Sequence, residues 1–344
     1  MDHDFANVSG DFDAQKAKIK VIGAGGGGNN TVTNLFEKGV DGATIVAVNT
    51  DAKHLVVSKA HNKVLIGKNL TKGLGAGGFP DIGKQAALES RNELRKILEG
   101  VDLLFLTCGL GGGTGTGATP VIGKLAKEMG AIVISAVTMP FRLEGARLIK
   151  AEEGNAQLRE SSDTVIVIEN QRLLDLAGNK PLKEAFAISD SLIATMIKGI
   201  TETISIPSMI NLDFADVKAV MRSGGVATIT VGESESPNRA LDAITKALSH
   251  PLLDVDYSGA TGALIQVIGG EDMRLDEINT IGEAVQESLA SDAQVIWGAR
   301  VLPEYEHRIH VIAIITGVKS QYILGPTGKK QKKPANELGV DMVK

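Results

Sequence analysis

The sequence predicts an α/β protein in which a doubly wound parallel sheet is joined by a long central helix to a smaller α/β domain with a mixed sheet. Three observations predict this fold class. Short apolar runs alternate with amphipathic stretches from Ile19 onward, one unbroken helical pattern covers 182–204, and a second series of strand and helix patterns follows. At 344 residues the chain also exceeds the usual size of a single hydrophobic core.

The first sheet is predicted from apolar runs that are typical of buried parallel strands. These runs are 19–22, 43–48, 103–107, 132–137 and 164–168. The amphipathic stretches between them predict helices over 30–38, 85–98, 119–129 and 146–160. Because βα units repeat, a ligand is expected at the carboxyl ends of the strands.

The central helix would reach roughly 30 Å at 1.5 Å per residue, which is enough to connect opposite faces of the molecule. Its predicted apolar stripe consists of Leu192, Met196, Ile200 and Ile204. The second domain is then predicted as strand, helix, strand, helix, strand and strand. Those segments are 226–231, 238–249, 263–268, 276–289, 293–300 and 308–316.

These patterns predict five parts of the chain. They are a flexible tail at 1–17, a first domain at 18–181, the connecting helix at 182–210, a second domain at 211–320, and a flexible basic linker with a terminal peptide at 321–344.

Composition argues against several classes of protein. A net charge of -5, without a basic stripe in the folded region, argues against a nucleic-acid partner. Cys108 is the only cysteine, so an internal disulfide and a multi-cysteine zinc site are excluded, and a cytoplasmic location is expected. The acidic start lacks the apolar run of a secretory signal. No apolar run approaches the roughly 20 residues that span a bilayer, so direct membrane insertion is not expected.

Two glycine-rich loops each follow a predicted strand and precede a predicted helix. The first, GAGGGGNN from Gly23, satisfies GxGxxG with Asp51 beyond the second strand. That pattern alone is typical of a dinucleotide site, and close packing of helix on strand is its alternative. The second, GLGGGTGTGATP from Gly109, exposes successive backbone N–H groups, and Thr114 and Thr116 add hydroxyls. Two anion cradles suit a triphosphate better than a single pyrophosphate.

A third glycine-rich stretch, GLGAGGFP at 73–80, is either a mobile cover over the terminal phosphate or an ordinary surface turn. Farther along, Asp213 and Asp216 share one face at the start of a predicted helix. Capping of that helix by Asp213 is the alternative to a catalytic role. If the central helix crosses the molecule, these carboxylates emerge opposite the glycine loops. A head-to-tail contact between two copies would then bring them to the phosphates of a neighbour.

Together these residues resemble the FtsZ family, the prokaryotic relatives of tubulin. The resemblance extends over 19–317 and rests on GGGTGTG at 111–117, AVNTDA at 47–52, TKGLGAG at 71–77, PFRLEG at 140–145 and NLDFADV at 211–217. It implies a tubulin-like GTPase domain and a protein that polymerises head to tail, as in the cell-division ring. It also implies hydrolysis of GTP to GDP and phosphate at subunit junctions, with Mg²⁺ held mainly by the phosphates and water.

The resemblance implies a nucleotide site and a catalytic segment. The residues predicted to bind GTP are Gly25, Gly26, Gly27, Gly28, Asn30, Asp51, Gly75, Ala76, Gly77, Gly111, Gly112, Gly113, Thr114, Gly115, Thr116, Glu144, Arg147, Phe186 and Asp190. Asp190 is the implied guanine-binding group, since a carboxylate accepts from N1–H and from the exocyclic amine that adenine lacks. Phe186 stacks on the base or packs in the core. Asn211, Asp213 and Asp216 are implied to complete the site of the next subunit.

The sequence also departs from the family pattern. Arg147 follows Glu144 by three positions, whereas the family usually has four, as though one residue were deleted. Phe79 replaces the common polar residue before Pro80. These departures fall at the implied contacts to the ribose and in the third glycine stretch.

The terminal peptide 337–344, after a lysine-rich linker, is either a solvated end or an attachment to a membrane-anchored adaptor, which would place the protein at the division site near the membrane. A cell-shape or scaffold filament of the same family is one alternative function. A nicotinamide-dependent oxidoreductase is another, and it leaves GGGTGTG and NLDFADV unexplained.

Overall fold

A computed structural model of the chain describes residues 17–206, 209–210, 212, 214–223, 227–252 and 255–319. Within these residues, one six-stranded and one four-stranded sheet are each flanked by helices. The predicted α/β fold class is therefore confirmed. The domain boundaries drawn from the sequence stay predictions.

The six-stranded sheet is parallel throughout. Its strands are β1 (Ile19–Ala24), β2 (Ala43–Asn49), β3 (Asn62–Leu65), β4 (Leu103–Gly109), β5 (Ile132–Met139) and β6 (Thr164–Glu169). They lie in the order β3-β2-β1-β4-β5-β6, so the direction of winding reverses between β1 and β4. A crevice forms at such a reversal, beyond the carboxyl ends of the strands, and it is the usual ligand site of these sheets. Both predicted anion-binding loops follow these two strands.

Helices cover both faces of this sheet. They are α1 (Gly25–Lys38), α2 (Ala52–Val57), α3 (Lys68–Thr71), α4 (Pro80–Glu89), α5 (Arg91–Leu98), α6 (Thr114–Glu128), α7 (Gly145–Ser161) and α8 (Leu173–Ala177). The prediction of a single helix over 85–98 is wrong, because the helix is interrupted at Ser90. The Ser90 hydroxyl accepts a hydrogen bond from the Gly67 N–H at 3.0 Å. The predicted starts of α1 and α6 were also too late, since glycines assigned to loops form the first helical turns.

The strand β3 was not predicted. It lies at the edge of the sheet, and none of its four residues is fully buried, so it lacks the apolar run that marks the other strands.

The helix α9 (Leu182–Ser205) runs from the carboxyl ends of the parallel strands to their amino ends. Its 24 residues would span about 36 Å. Its first turns reach the carboxyl ends of the strands, where Asp190 accepts a hydrogen bond from Thr31. At its other end, a Cβ atom on Gly42, just before β2, would overlap the Ser205 side chain. The predicted crossing helix is confirmed.

The second sheet is mixed, as predicted. After α10 (Phe214–Ser223), its elements are β7 (Ala227–Ser234), α11 (Arg239–Leu248), β8 (Gly262–Gly269), α12 (Leu275–Ser288), β9 (Gln294–Val301) and β10 (Ile309–Thr316). The order is β7-β10-β8-β9, with β8 and β9 parallel and β10 antiparallel to both neighbours. One face packs on α9 and α10, and the other carries α11 and α12.

Across the residues that the structure describes, we find no helix with the length and apolar character needed to span a bilayer.

Candidate active site

A cavity of about 690 Å³ opens where the carboxyl ends of β4 and β5 meet the starts of α1, α6 and α9. Its volume falls in the range of roughly 300–1,000 Å³ that is usual for small-molecule sites. Backbone from both glycine loops forms one side, and polar and aromatic side chains of α9 form another. The cavity therefore lies at the crevice that the sheet topology predicts.

Two helix N-termini meet at this cavity. A Cβ atom on Gly25, at the start of α1, would lie 2.7 Å from the Gly115 nitrogen in α6. One on Gly27 would lie 2.9 Å from the Gly109 nitrogen, so only glycine allows the two loops to approach this closely. Neither helix has an acidic residue in its first turn. Two positive helix ends with unpaired N–H groups therefore favour an anionic ligand with more than one charged group.

Other parts of the protein pack against the second glycine loop on the side away from the cavity. The Thr114 hydroxyl lies 2.6 Å from that of Thr50, so it has a partner inside the protein, although Thr114 also lines the cavity. A Cβ atom on Gly113 would lie 2.8 Å from Ala76 Cβ, and α4 packs directly on α6. Thr116 is buried and lies outside the cavity lining. The loop thus offers mainly backbone N–H groups, whereas hydroxyl donors were also expected.

Asp190 lies at the α9 side of the cavity. Its Oδ1 atom accepts from the Thr31 hydroxyl at 2.6 Å. Burial raises the pKa of the Asp190 carboxyl above its ordinary value of 3.8, and the hydrogen bond from Thr31 opposes part of that shift. The ionised carboxylate therefore lacks full solvation, and a ligand that donates N–H hydrogen bonds would stabilise it.

Phe186 lies one helical turn before Asp190. It lines the cavity and is 36% exposed, so packing in the core does not describe it. Its ring meets that of Phe141 edge to face, with centroids 5.7 Å apart and an interplanar angle of 66°. This contact fixes the ring beside Asp190, where a planar ligand group can stack on it.

Glu144 and Arg147 both line the cavity despite their shortened spacing. Arg147 Nη1 lies 2.5 Å from Glu144 Oε2, an ion pair between residues three apart. Glu144 Oε1 also accepts from the Phe141 N–H at 3.0 Å. The spacing between Glu144 and Arg147 is one residue shorter than is usual in the family. Both side chains nevertheless lie at the site, paired with each other.

Several predicted residues lie outside the cavity lining. They are Gly25, Gly28, Asp51, Gly75, Ala76, Gly77, Gly111 and Thr116. Asp51 caps α2 by accepting from the His54 N–H at 3.1 Å. The stretch 73–80 is bonded to its surroundings, since the Gly75 N–H donates to the Thr50 carbonyl at 3.1 Å and Lys150 Nζ donates to the Gly78 carbonyl at 2.8 Å. In this conformation it forms a wall behind the second glycine loop.

The sequence analysis missed seven polar residues of the lining: Thr33, Asn34, Glu37, Thr138, Asn170, Lys183 and Ser189. Asn34 Oδ1, Asn170 Oδ1 and Ser189 Oγ are buried without a hydrogen-bond partner among the residues that the structure describes. Such atoms are expected to bind ligand or water. Asn170 was the most accessible to prediction, because it directly follows β6 at the carboxyl edge of the sheet.

The lining itself offers no cage for a metal ion. In the described part of the chain, no group of three or more His, Cys, Asp or Glu side chains is placed to hold one. The carboxylates that line the cavity are Glu37, Glu144 and Asp190, and each of the three has a protein partner. These residues fit Mg²⁺ only if phosphate oxygens and water supply most of its ligands.

Asp216, the one described residue of the three predicted to be catalytic, lies away from this cavity. Asn211 and Asp213 fall outside the described residues, whereas Asp216 is in the first turn of α10 and is half-buried. The hydroxyl of Thr164, the first residue of β6, lies 3.7 Å from Met221 Sδ of α10. The helix that carries Asp216 therefore lies at the amino edge of the parallel sheet, opposite the cavity.

The fold and the cavity together define a nucleotide-binding protein of the tubulin-like GTPase class. Residues 18–178 match the GTPase domain of the Tubulin/FtsZ family, and residues 225–319 match the C-terminal domain of the FtsZ family. The chain belongs to the FtsZ family. The oxidoreductase considered from GxGxxG is therefore not supported.

Similar proteins come from archaea. The chain is 54% identical to "Cell division protein FtsZ 2" of Methanocaldococcus jannaschii, over 92% of this chain and 84% of the relative. It is 56% identical to "Cell division protein FtsZ 1" of Pyrococcus abyssi, over 90% of this chain and 83% of the relative. A solved structure titled "FtsZ dimer, empty", from M. jannaschii, is 46% identical with a TM-score of 0.84, covering 94% of this chain and 96% of that one.

Proposed function

We propose that this chain binds GTP with Mg²⁺, assembles head to tail into filaments of a cell-division apparatus, and hydrolyses GTP to GDP and phosphate at each junction between subunits. The observation that carries the proposal is the placement of the nucleotide cavity and of Asp216 at opposite edges of the parallel sheet, with α9 crossing between them. The helix α9 is about 36 Å long, so the nucleotide of the same subunit is out of reach of Asp216. The carboxylate would therefore act on the nucleotide of a neighbour.

Both edges of the molecule expose apolar residues, as a head-to-tail contact requires. Near the cavity, Leu74, Phe79 and Leu143 are exposed. Near α10, Met209 is exposed beside Ile210, which pairs with Ala299 of the edge strand β9. Exposed apolar residues on opposite faces of a chain suit a heterologous interface, and such an interface propagates into a filament.

The cavity has groups for each part of GTP. Backbone N–H groups of Gly26, Gly27 and 112–115 suit the phosphates, because two helix N-termini converge there. Asp190 suits the guanine edge, and the face of Phe186 suits the ring. Glu144 and Arg147 lie where they can contact the ribose and the phosphates.

Hydrolysis of a phosphate anhydride needs mainly an oriented water and neutralised charge. Bound Mg²⁺ supplies neutralisation of the phosphate oxygens. Asp216, with Asp213 and Asn211 of the same segment, orients the attacking water from the neighbouring subunit. Turnover then depends on assembly, because no single subunit holds both halves of the site.

Dilution tests this dependence. Phosphate release and light scattering should be measured in parallel while the protein is diluted in saturating GTP and Mg²⁺. We expect turnover per molecule to collapse at the concentration where scattering disappears, with GTP still bound to the diluted subunits. Constant turnover per molecule below that concentration would mean that one subunit holds the entire site.

Attachment to a membrane is a separate proposal. The peptide 337–344, which lies outside the described residues, is proposed to bind a membrane-anchored adaptor and so to hold the cytoplasmic filament at the division site. Deleting 337–344 should leave GTP-dependent assembly unchanged and abolish recruitment to vesicles that carry the adaptor. Equal recruitment of the full and shortened chains would contradict this role.

Replacing Asp190 by Asn should weaken GTP binding about 10- to 100-fold, because guanine loses a charged acceptor worth ~1.5–3 kcal/mol. ATP binding should change much less, so titration calorimetry with both nucleotides measures the selectivity. Unchanged GTP affinity in the variant would contradict the guanine assignment.

The same variant should show how burial of Asp190 affects stability. Because burial raises the pKa of this carboxyl in the folded state, its ionisation at neutral pH opposes folding. Without nucleotide, Asp190→Asn should therefore melt at a higher temperature than the parent at neutral pH. The difference should shrink as the pH falls through the raised pKa, since protonation relieves the same cost in the parent.

A further inference from the structure

Gln266 is a polar residue in an otherwise apolar row of β8. Alternate residues of a strand face the same side, and Leu264 and Ile268 on this side lie in the buried cluster that also contains Leu212 and Val217. Gln266 is itself only 1% exposed. Because burial of an incompletely bonded amide opposes folding, packing alone does not explain a glutamine at this position.

The hydrogen bonding of the Gln266 amide is incomplete. Its Nε2 donates to the Val267 carbonyl at 3.3 Å. Its Oε1 is buried and has no hydrogen-bond partner in the part of the chain that the structure describes. A buried acceptor of this kind favours any arrangement of an adjacent segment that brings an N–H group to it.

Gly298, on the neighbouring strand β9, shows which segment is adjacent. A Cβ atom on Gly298 would lie 2.8 Å from Gln266 Oε1. The same atom would lie 2.7 Å from Leu212 Cγ and 2.8 Å from the Ile210 carbonyl oxygen. Ile210 is tied to Ala299 by two backbone hydrogen bonds, of 3.1 and 3.2 Å. The amide, the glycine and the chain just before α10 therefore meet at one point.

We infer that Gln266 and Gly298 are positioning residues for GTP hydrolysis, which seat the segment that carries Asp216 against the second sheet. Gly298 leaves the space in which the segment lies, and the Gln266 acceptor selects its backbone position. Neither residue lines the nucleotide cavity. The second sheet thereby sets the geometry of the half-site that one subunit offers to the next. The inference rests on the proposed function, because it concerns the half-site contributed to a neighbour.

Gln266→Leu tests the role of the amide, since it keeps most of the side-chain volume and removes the polar group. GTP binding and assembly should be retained, and turnover should fall about 10- to 100-fold, as expected when a reacting group is misplaced. The melting temperature should stay close to that of the parent, because loss of an N–H contact with the segment is offset by removal of a buried polar group. Gly298→Ala should lower turnover in the same way by displacing the segment. Parallel losses of melting temperature and turnover in Gln266→Leu would overturn the inference in favour of a structural role.

Thr230→Val is the matched control. Thr230 is fully buried on β7, and its hydroxyl has no hydrogen-bond partner among the described residues. It lies on the side of the sheet opposite the cluster that contains Ile229 and Leu212. Turnover should therefore match that of the parent. A loss as large as that of Gln266→Leu would mean that any polar residue buried in this sheet affects turnover, and would overturn the inference.

Mixing distinguishes a defect in the Asp216 half-site from one in the cavity. A Gly112→Glu subunit should keep a functional Asp216 segment but should not bind GTP. An Asp216→Ala subunit should bind GTP but lack the functional aspartate. Turnover of Gln266→Leu should recover on addition of Gly112→Glu, and should not recover on addition of Asp216→Ala. The reverse pattern, or full activity of Gln266→Leu alone, would overturn the inference. Failure of Gly112→Glu and Asp216→Ala to restore each other would instead refute the shared site of the proposed function.

Discussion

Gly112→Glu should weaken GTP binding by at least about 100-fold, or ~3 kcal/mol, while the chain still folds. Gly112 lines the cavity, and a Cβ atom added there would meet nothing within 4 Å. A glutamate can therefore enter the cavity without displacing backbone. Its carboxylate would compete with the phosphates for the two positive helix ends and repel those that remain. Fluorescent GTP titration measures the loss, and thermal melting checks the fold.

Gly112→Ala is the matched control for this prediction. It adds the same Cβ atom without the charge, and its backbone φ does not require glycine. GTP affinity within a few-fold of the parent is expected for alanine. If alanine and glutamate weaken binding equally, backbone geometry rather than the anion site accounts for the loss. If glutamate leaves binding unchanged, the phosphates do not lie at this loop.

Asp216→Ala should lower turnover by on the order of 100-fold or more, the usual cost of losing a group that orients the attacking water or accepts its proton. GTP affinity should be unchanged, because Asp216 lies at the edge of the molecule opposite the cavity. Assembly should persist, and filaments should last longer because their nucleotide is not hydrolysed. Phosphate release at matched light scattering measures the effect.

Asp292→Ala serves as a control for removal of a carboxylate, since Asp292 is exposed in the second domain, in the turn before β9. It should retain turnover close to that of the parent. Weakened GTP binding in Asp216→Ala would contradict the separation of the two half-sites. So would turnover that remains close to that of the parent.

The elements predicted from the sequence were those with a continuous apolar run or a sustained apolar stripe. Five of the six parallel strands have continuous apolar runs, and α9 has a sustained apolar stripe that includes Met196 and Ile200. The edge strand β3 lacks such a run because its residues stay partly exposed. The break at Ser90 depends on a contact with Gly67, which is distant in sequence. Helix propensity along one segment does not contain that information.

In the candidate site, too, only the residues with a local signal in the sequence were predicted. Glycine loops and an acidic residue on α9 were accessible because their spacing along the chain reflects local geometry. Asn34 and Lys183 were not, since they join the cavity only when α1 and α9 pack beside each other. The Thr114 hydroxyl was expected to face a ligand, yet its partner is Thr50, on a separate loop. Which way a side chain points depends on tertiary contacts that spacing does not encode.

Mixing Asp216→Ala with Gly112→Glu tests the shared site most directly. Each variant alone should be nearly inactive, one for lack of the aspartate and the other for lack of bound GTP. In the mixture, a junction that joins the cavity of the first to the Asp216 segment of the second is complete. Phosphate release well above the sum of the separate variants is therefore predicted, with a maximum near equal proportions. Release no greater than that sum, in mixtures shown by scattering to co-assemble, would contradict the account.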